Sequence, residues 1–233
     1  MKHRIVCIIP ARSDSSRLPK KHLKSVKNIP MIGILISRMK TIKEVDEVIV
    51  ATTQRKIDDE LSSTSLDFGA SVFRGSLKDV IGRFAKAAKE SRATICIKAN
   101  GDNPLQAPEI IDIGIKQLLS KNLDLVTGKN IFTGIPVGLG AEVLSYQTVE
   151  WLDKHTPLEY REDTTNYLFN TESNINLEPI IVEEQWKKSK ETITIDTQND
   201  LDKLRKIVSI LPKQKPKNWN ITQIIGAMNK YEK

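Results

Sequence analysis

The sequence predicts an α/β fold, a single doubly wound and mostly parallel (mixed) sheet with helices on both faces. Two observations predict it. Five short runs rich in Val and Ile are apolar almost without alternation, as strands buried on both faces must be. Between them lie helix-length segments whose apolar residues recur at spacings of three and four, and strands alternating with helices give parallel neighbours joined by crossovers.

The strand runs are 4–9, 47–51, 70–73, 94–98 and 124–127, each flanked by polar residues or glycine. The helical segments are 32–39, 56–66, 79–89 and 108–119, with Pro30 and Pro108 near first turns. Beyond residue 130 the pattern loosens through 135–145, then gives helices at 148–155 and 161–169 and an extended stretch at 174–182. A strand at 192–196, where Thr alternates with Ile, is followed by helices at 199–208 and 221–231. No Pro-, Gly- or Ser-rich linker divides the 233 residues, so one domain over 1–233 is expected.

Composition narrows the function classes. Hydrophobic content of 39% with 28% charged residues is that of a globular protein and speaks against disorder and membrane insertion. The apolar run at 5–9 is too short for a signal-peptide core, which predicts a cytoplasmic protein. Cys7 and Cys96 both sit in apolar runs and read as small core residues, with no disulfide or zinc spacing. A net charge of +7 fits nucleic acid or small polyanions; because the lysines are dispersed and few aromatics interleave with them, the small polyanion is the expected partner.

In the common doubly wound order, strands one and four are neighbours and ligands sit beyond their carboxyl ends. That singles out the loops 10–21 and 99–105. The first, Pro10-Ala11-Arg12-Ser13-Asp14-Ser15-Ser16-Arg17-Leu18-Pro19-Lys20-Lys21, suits a triphosphate. Its amides and hydroxyls can hold phosphate oxygens, while Arg12, Arg17 and Lys21 can neutralise a departing pyrophosphate. It is not a P-loop, and Gly138 and Gly140 lack the third glycine of a dinucleotide fingerprint. The second loop, Asn100-Gly101-Asp102-Asn103-Pro104-Leu105, places a carboxylate just past a strand, with Gly101 allowing close backbone approach. Asp196 supplies another at the end of 192–196, and Asp200 reads as a structural residue at a helix start. Magnesium takes one or two carboxylates plus substrate phosphates, so Asp102 and Asp196 are the candidate ligands. His3, His22 and His155 have no evident catalytic partner and read as surface or packing residues.

Taken together, these motifs resemble the cytidylyltransferase family that contains CMP-Kdo and CMP-sialic acid synthetases, most closely its spore-coat polysaccharide biosynthesis protein F branch. The resemblance rests on Ile9-Pro10-Ala11-Arg12 with Ser16-Arg17-Leu18-Pro19 and Lys21, on Gly101-Asp102-Asn103-Pro104-Leu105, and on Ile195-Asp196-Thr197. It implies a nucleotide-diphosphosugar-transferase-like fold and transfer of CMP from CTP to a sugar acid, a sugar or polyol phosphate, or a phosphonate. Magnesium would be held by Asp102 and Asp196. By the same resemblance Pro10, Ala11, Arg12, Ser13, Lys21, Arg74, Asn100, Gly101 and Asp102 would bind nucleotide, and Arg83, Glu142 and Arg161 the acceptor. The stretch 131–182 would be a dimerisation arm of a homodimer. Two departures concern the family pattern: Lys20 replaces a glycine, and Asp163-Thr164 replaces a His-Val pair. A glycosyltransferase of similar fold is the alternative, against which stand the basic first loop and the lack of an Asp-x-Asp motif after a strand.

Overall fold

The computed structural model describes residues 2–187 and 191–231. Its strands are β1 (Ile5–Pro10), β2 (Ser25–Val26), β3 (Ile29–Pro30), β4 (Glu47–Thr53), β5 (Ser71–Gly75), β6 (Ile95–Lys98), β7 (Leu125–Thr127), β8 (Glu142–Ser145) and β9 (Leu177–Pro179). The α-helices are α1 (Met31–Met39), α2 (Asp59–Asp67), α3 (Val80–Glu90), α4 (Pro108–Lys121), α5 (Asn130–Thr133), α6 (Tyr146–His155), α7 (Asn166–Phe169), α8 (Gln198–Ile210) and α9 (Ile221–Tyr231).

Seven strands form one sheet in the order β5-β4-β1-β6-β8-β7-β9, and β2 with β3 makes a separate hairpin. β1 runs parallel to both β4 and β6, so the expected adjacency of the first and fourth strand runs is observed. β8 is antiparallel to β6 and β7 and lies between them, which makes the sheet mixed. Along β1, Ile5, Cys7 and Ile9 enter the core beneath α1, α4, α8 and α9, whereas Val6 and Ile8 enter the core beneath α3 and α6. This burial on both faces is why the run shows no polar alternation. Cys7 and Cys96 are free and buried on opposite faces, as their apolar settings foretold. No helix among the described residues is long and apolar enough to cross a membrane.

The later part of the chain corrects the sequence reading in three places. Residues 142–145, read as part of a loose stretch, are the strand β8. The helix expected at 161–169 shrinks to Asn166–Phe169, because the Asp163 carboxylate accepts from the amides of Thr165 and Asn166 and closes a turn there. Residues 192–196 form no strand: Thr192 makes a single bridge to Val137, and the chain then runs past the second loop, with the Ile195 amide donating to the Asp102 carbonyl at 3.0 Å.

Two packing details hold the frame behind the site. The Arg38 guanidinium on α1 is fully buried and donates to the carbonyls of Gln106, Pro216 and Trp219 at 2.8–2.9 Å, tying α1 to the second loop and to the start of α9. Gly140 lies against Gly128, where a Cβ would come within 2.2 Å of the Gly128 carbonyl oxygen. Backbone cannot give way as a flexible side chain can. Gly140→Ala is therefore expected to cost about 1–3 kcal/mol, read as a lower denaturation midpoint in urea.

Candidate active site

The carboxyl ends of β1 and β6 open into a cleft of about 800 Å³, walled on one side by residues 10–12 and 14–17 and on the other by Asn100 to Asn103, with Thr194 and Asp196 closing a third side. The first loop is shaped from beneath. Asp58, fully buried, accepts from the Ser13 amide at 2.7 Å and from the Thr53 hydroxyl. Arg55 grips Asp14 at 2.7 Å, and this hydrogen bond holds the Asp14 carboxyl below the usual carboxylate range despite partial burial. The loop folds back through Lys20, whose amide donates to the Ser13 carbonyl from a left-handed backbone (φ 54°). A glycine would take that conformation without strain. Among the described residues no acceptor sits on the amides of Ser15, Ser16 or Arg17, all of which line the cleft. Successive unengaged amides of this kind suit anionic oxygens.

Lys21 joins the two loops. Its ammonium, on a side chain only 10% exposed, lies 3.1 Å from Asp102 Oδ2, 2.9 Å from Asp196 Oδ1 and 3.0 Å from the Ile195 carbonyl. Arg17 reaches the same Asp196 oxygen at 2.9 Å. Two carboxylates that lie 94 residues apart in sequence therefore converge on one cation. Asp196 is free to do so because the next residue caps α8: Thr197 and Asp200 form a reciprocal capping box. Asp200 is structural, as expected.

No group of three or more His, Cys, Asp or Glu side chains is arranged to hold a metal among the described residues. A divalent ion here would rest on Asp102 and Asp196 with substrate phosphates, the donor set that suits magnesium. Their carboxylates converge as such an ion would require, with the Lys21 ammonium lying between them in this structure.

His22, called a surface or packing residue, packs. It is buried against the second loop with Nδ1 3.0 Å from the Gly101 carbonyl, and a Cβ at Gly101 would meet His22, Ala11 and the Pro10 carbonyl at 3.0–3.1 Å. Glycine at 101 thus serves the approach of the first loop. Burial pushes the His22 imidazole down to about 4, against the attraction of Asp102. The unfolded chain takes up a proton near 6.5 and the folded chain only near 4, so His22 lowers stability progressively as pH falls from 6.5 to 4. Denaturation midpoints measured across that window are expected to fall with pH, and more shallowly in His22→Asn.

Of the other sequence-assigned residues, Pro10, Ala11, Arg12, Asn100 and Gly101 line the cleft, and Arg83 forms its wall. Arg83 is 2% exposed, donates to the Ser76 carbonyl at 2.6 Å and leaves Nε without a partner among the described residues. Burial, with Arg12 nearby, lowers its pKa. Three assigned residues line neither this cleft nor the smaller cavity beside it. Ser13 is buried beneath the loop with its amide committed to Asp58. Arg74 spends its guanidinium on the carbonyls of Thr53 and Arg55 and on Asp59, outside the cleft. Arg161 is consumed by Asp79, Asp153 and the Asp153 carbonyl, while its own carbonyl accepts from the first amides of α3.

A smaller cavity of about 290 Å³ adjoins the cleft and shares Lys98, Asn100, Asn103, Val137 and Asp163 with it. Antiparallel register sets Lys98 of β6 directly opposite Glu142 of β8. The Lys98 ammonium, 3.7 Å from Glu142, 3.8 Å from Asp163 and 3.3 Å from the Thr165 hydroxyl, was not singled out from sequence. Burial alone would lower its pKa, yet the two carboxylates raise it, so it stays an ammonium. Glu142 lines this cavity. The signal available in the sequence was a lysine ending an otherwise apolar strand at the ligand-binding edge.

With this geometry in view, comparison with known proteins is decisive: the cytidylyltransferase family pattern matches residues 6–224. The chain belongs to the cytidylyltransferase family. This cytidylyltransferase is 34% identical over 231 residues to an uncharacterised protein of Methanocaldococcus jannaschii, covering 97% of this chain and 91% of that one. It is 28% identical to the spore coat polysaccharide biosynthesis protein SpsF of Bacillus subtilis, over 86% and 85% of the two chains. Among solved structures, a cytidylyltransferase from Leptospira borgpetersenii superposes with a TM-score of 0.90 at 27% identity, over 99% and 95% of the two chains.

Proposed function

We propose that this cytidylyltransferase transfers CMP from CTP to a small hydroxylated or acidic acceptor, such as a sugar acid or a sugar or polyol phosphate, with release of pyrophosphate. The observation that carries the reading is the opposition of the amide-rich basic loop to Asp102 and Asp196 across one cleft, with Lys21 between them. The acceptor oxygen would attack the α-phosphorus in line, opposite the leaving pyrophosphate. The protein's contribution is positional and electrostatic, and no protein nucleophile takes part.

In that step the amides of Ser15 to Arg17 receive the β- and γ-phosphate oxygens, Arg12 and Arg17 face the charge that builds on the leaving group, and Asn100 and Gly101 hold the nucleotide's other side. Magnesium bound by Asp102 and Asp196 would supply charge neutralisation between the phosphates. Lys21, displaced from the carboxylates, turns to the same phosphates.

The name of the Bacillus relative supports a role in surface polysaccharide biosynthesis. Exposed Ile131, Phe132, Leu158, Tyr160 and Ile181 all fall within 131–182 and support a homodimer through that stretch, whereas β8 and α6 of the same stretch belong to the body. Light scattering after size exclusion should give twice the chain mass of 26.3 kDa.

The test is pyrophosphate release from each of the four nucleoside triphosphates with magnesium, against sugar acids, sugar phosphates and phosphonates. Release with CTP and one acceptor class is expected. Failure to bind CTP in calorimetry would sink the reading.

A further inference from the structure

We infer that the smaller cavity is the acceptor subsite and that Lys98, Glu142 and Asp163 make it a charge filter that admits hydroxyl-rich acceptors and turns away phosphorylated ones. The inference rests on the CMP-transfer reading above and goes beyond it by choosing between the acceptor classes.

Three observations carry it. First, the cavity opens onto the nucleotide cleft through shared walls, so a group in it lies beside the bound nucleotide. Second, Lys98 is 94% buried, with carboxylates at 3.7 and 3.8 Å and a hydroxyl at 3.3 Å. These spacings exceed those of a well-made ion pair or charge-assisted hydrogen bond. The ammonium therefore keeps donor capacity toward the cavity while its charge is already balanced. Third, no guanidinium lines the cavity among the described residues; Asn100, Asn103, Asn130 and Asn166 do.

Charge decides the class. Lys129, the other cation there, hydrogen-bonds the Asn166 side chain and sits 4.0 Å over the Phe169 ring, while Glu142 and Asp163 match the two lysines in number. A phosphoryl dianion entering would meet two carboxylates with no surplus positive charge. Hydroxyl groups meet the opposite situation, since carboxylates and amide oxygens accept from them while Lys98 and amide nitrogens donate. Arg12, Arg17 and Arg83 line the larger cleft, where they suit the triphosphate, and none of them lines this cavity. Lys98 is then a positioning and specificity residue, lying between the Glu142 and Asp163 carboxylates and facing the acceptor.

The experiment uses the whole chain, ¹⁵N-labelled and saturated with CTP, titrated with gluconate and separately with 6-phosphogluconate. The amides of Gly128, Gly138 and Gly140, which line the cavity, are the reporters. Gluconate is expected to shift them, with 6-phosphogluconate weaker by about 10-fold or more. Asp163→Asn, whose side chain is 44% exposed and whose fold should tolerate the change, is expected to narrow that gap; Glu142→Gln should do the same where it folds. Equal or tighter binding of 6-phosphogluconate by the unaltered chain overturns the filter, as does an unchanged gap in Asp163→Asn. No shift with either probe while CTP remains bound overturns the subsite. Loss of CTP binding itself would count against the transferase reading instead.

Discussion

Replacing Asp102 with asparagine should reduce CTP-dependent pyrophosphate release by about 100-fold or more while leaving the fold intact. The side chain is isosteric, so the packing of the second loop around Gly101 and His22 is untouched. What changes is the field at the centre of the cleft. In the unaltered protein Asp102 and Asp196 share the Lys21 ammonium, and Arg17 adds a second cation at Asp196. Without Asp102 the cations outnumber the carboxylates, and a divalent ion loses one of only two protein ligands. CTP binding should survive, because the loop amides and Arg12 are unaffected, so the loss should appear in kcat. Manganese binding followed by electron paramagnetic resonance should weaken in parallel. Full turnover in Asp102→Asn would remove Asp102 from the metal site.

Arg38→Met is expected to be the most destabilising single change, costing roughly 3–5 kcal/mol. Arg38 is a buried cation that donates to three backbone carbonyls. Burial pulls its pKa down to about 10, with Glu109 acting in the opposite sense, so it stays charged at neutral pH. Methionine fills much of the volume but leaves the carbonyls of Gln106, Pro216 and Trp219 unpaired in a dry interior, and each unpaired group carries its own desolvation cost. Thermal unfolding should fall by about 10 °C. A midpoint within about 2 °C of the unaltered protein would mean that water or rearranged backbone satisfies those carbonyls.

The parallel half of the sheet was legible because burial on both faces writes itself as uninterrupted Val and Ile, as in 4–9 and 47–51. β8 was not, because four residues carrying a charged Glu142 and following two glycines look like loop; only the partner strand reveals that Glu142 faces Lys98. The nucleotide end was legible for a related reason. Its arginines and lysines crowd one loop at a strand end, where no helical face could explain them. Arg74 and Arg161, assigned by resemblance and not by such crowding, show a different limit. Sequence registers a guanidinium's presence but not whether carbonyls have already consumed it, and both of these are spent on the fold. Asp58 and Arg55, which shape the first loop from beneath, lie more than 30 residues beyond it and carry no motif of their own.

The position of β8 between β6 and β7 also sets an order of events during folding. β5, β4, β1 and β6 pair with one another in sequence and can assemble as soon as residue 98 is available. β7 has no earlier strand to join: its two neighbours, β8 and β9, both follow it in the chain. The free edge of β6 must therefore wait until residues 142–145 arrive, and a waiting edge is a template for the wrong partner. Both lysines of the smaller cavity precede β8 in the chain, but Glu142 reaches them only when that strand docks. The first loop and the Asn100 to Asn103 wall can thus form early, whereas the smaller cavity waits for β8 and the cleft for Asp196, and aggregation during refolding should depend on how fast one four-residue strand finds its slot.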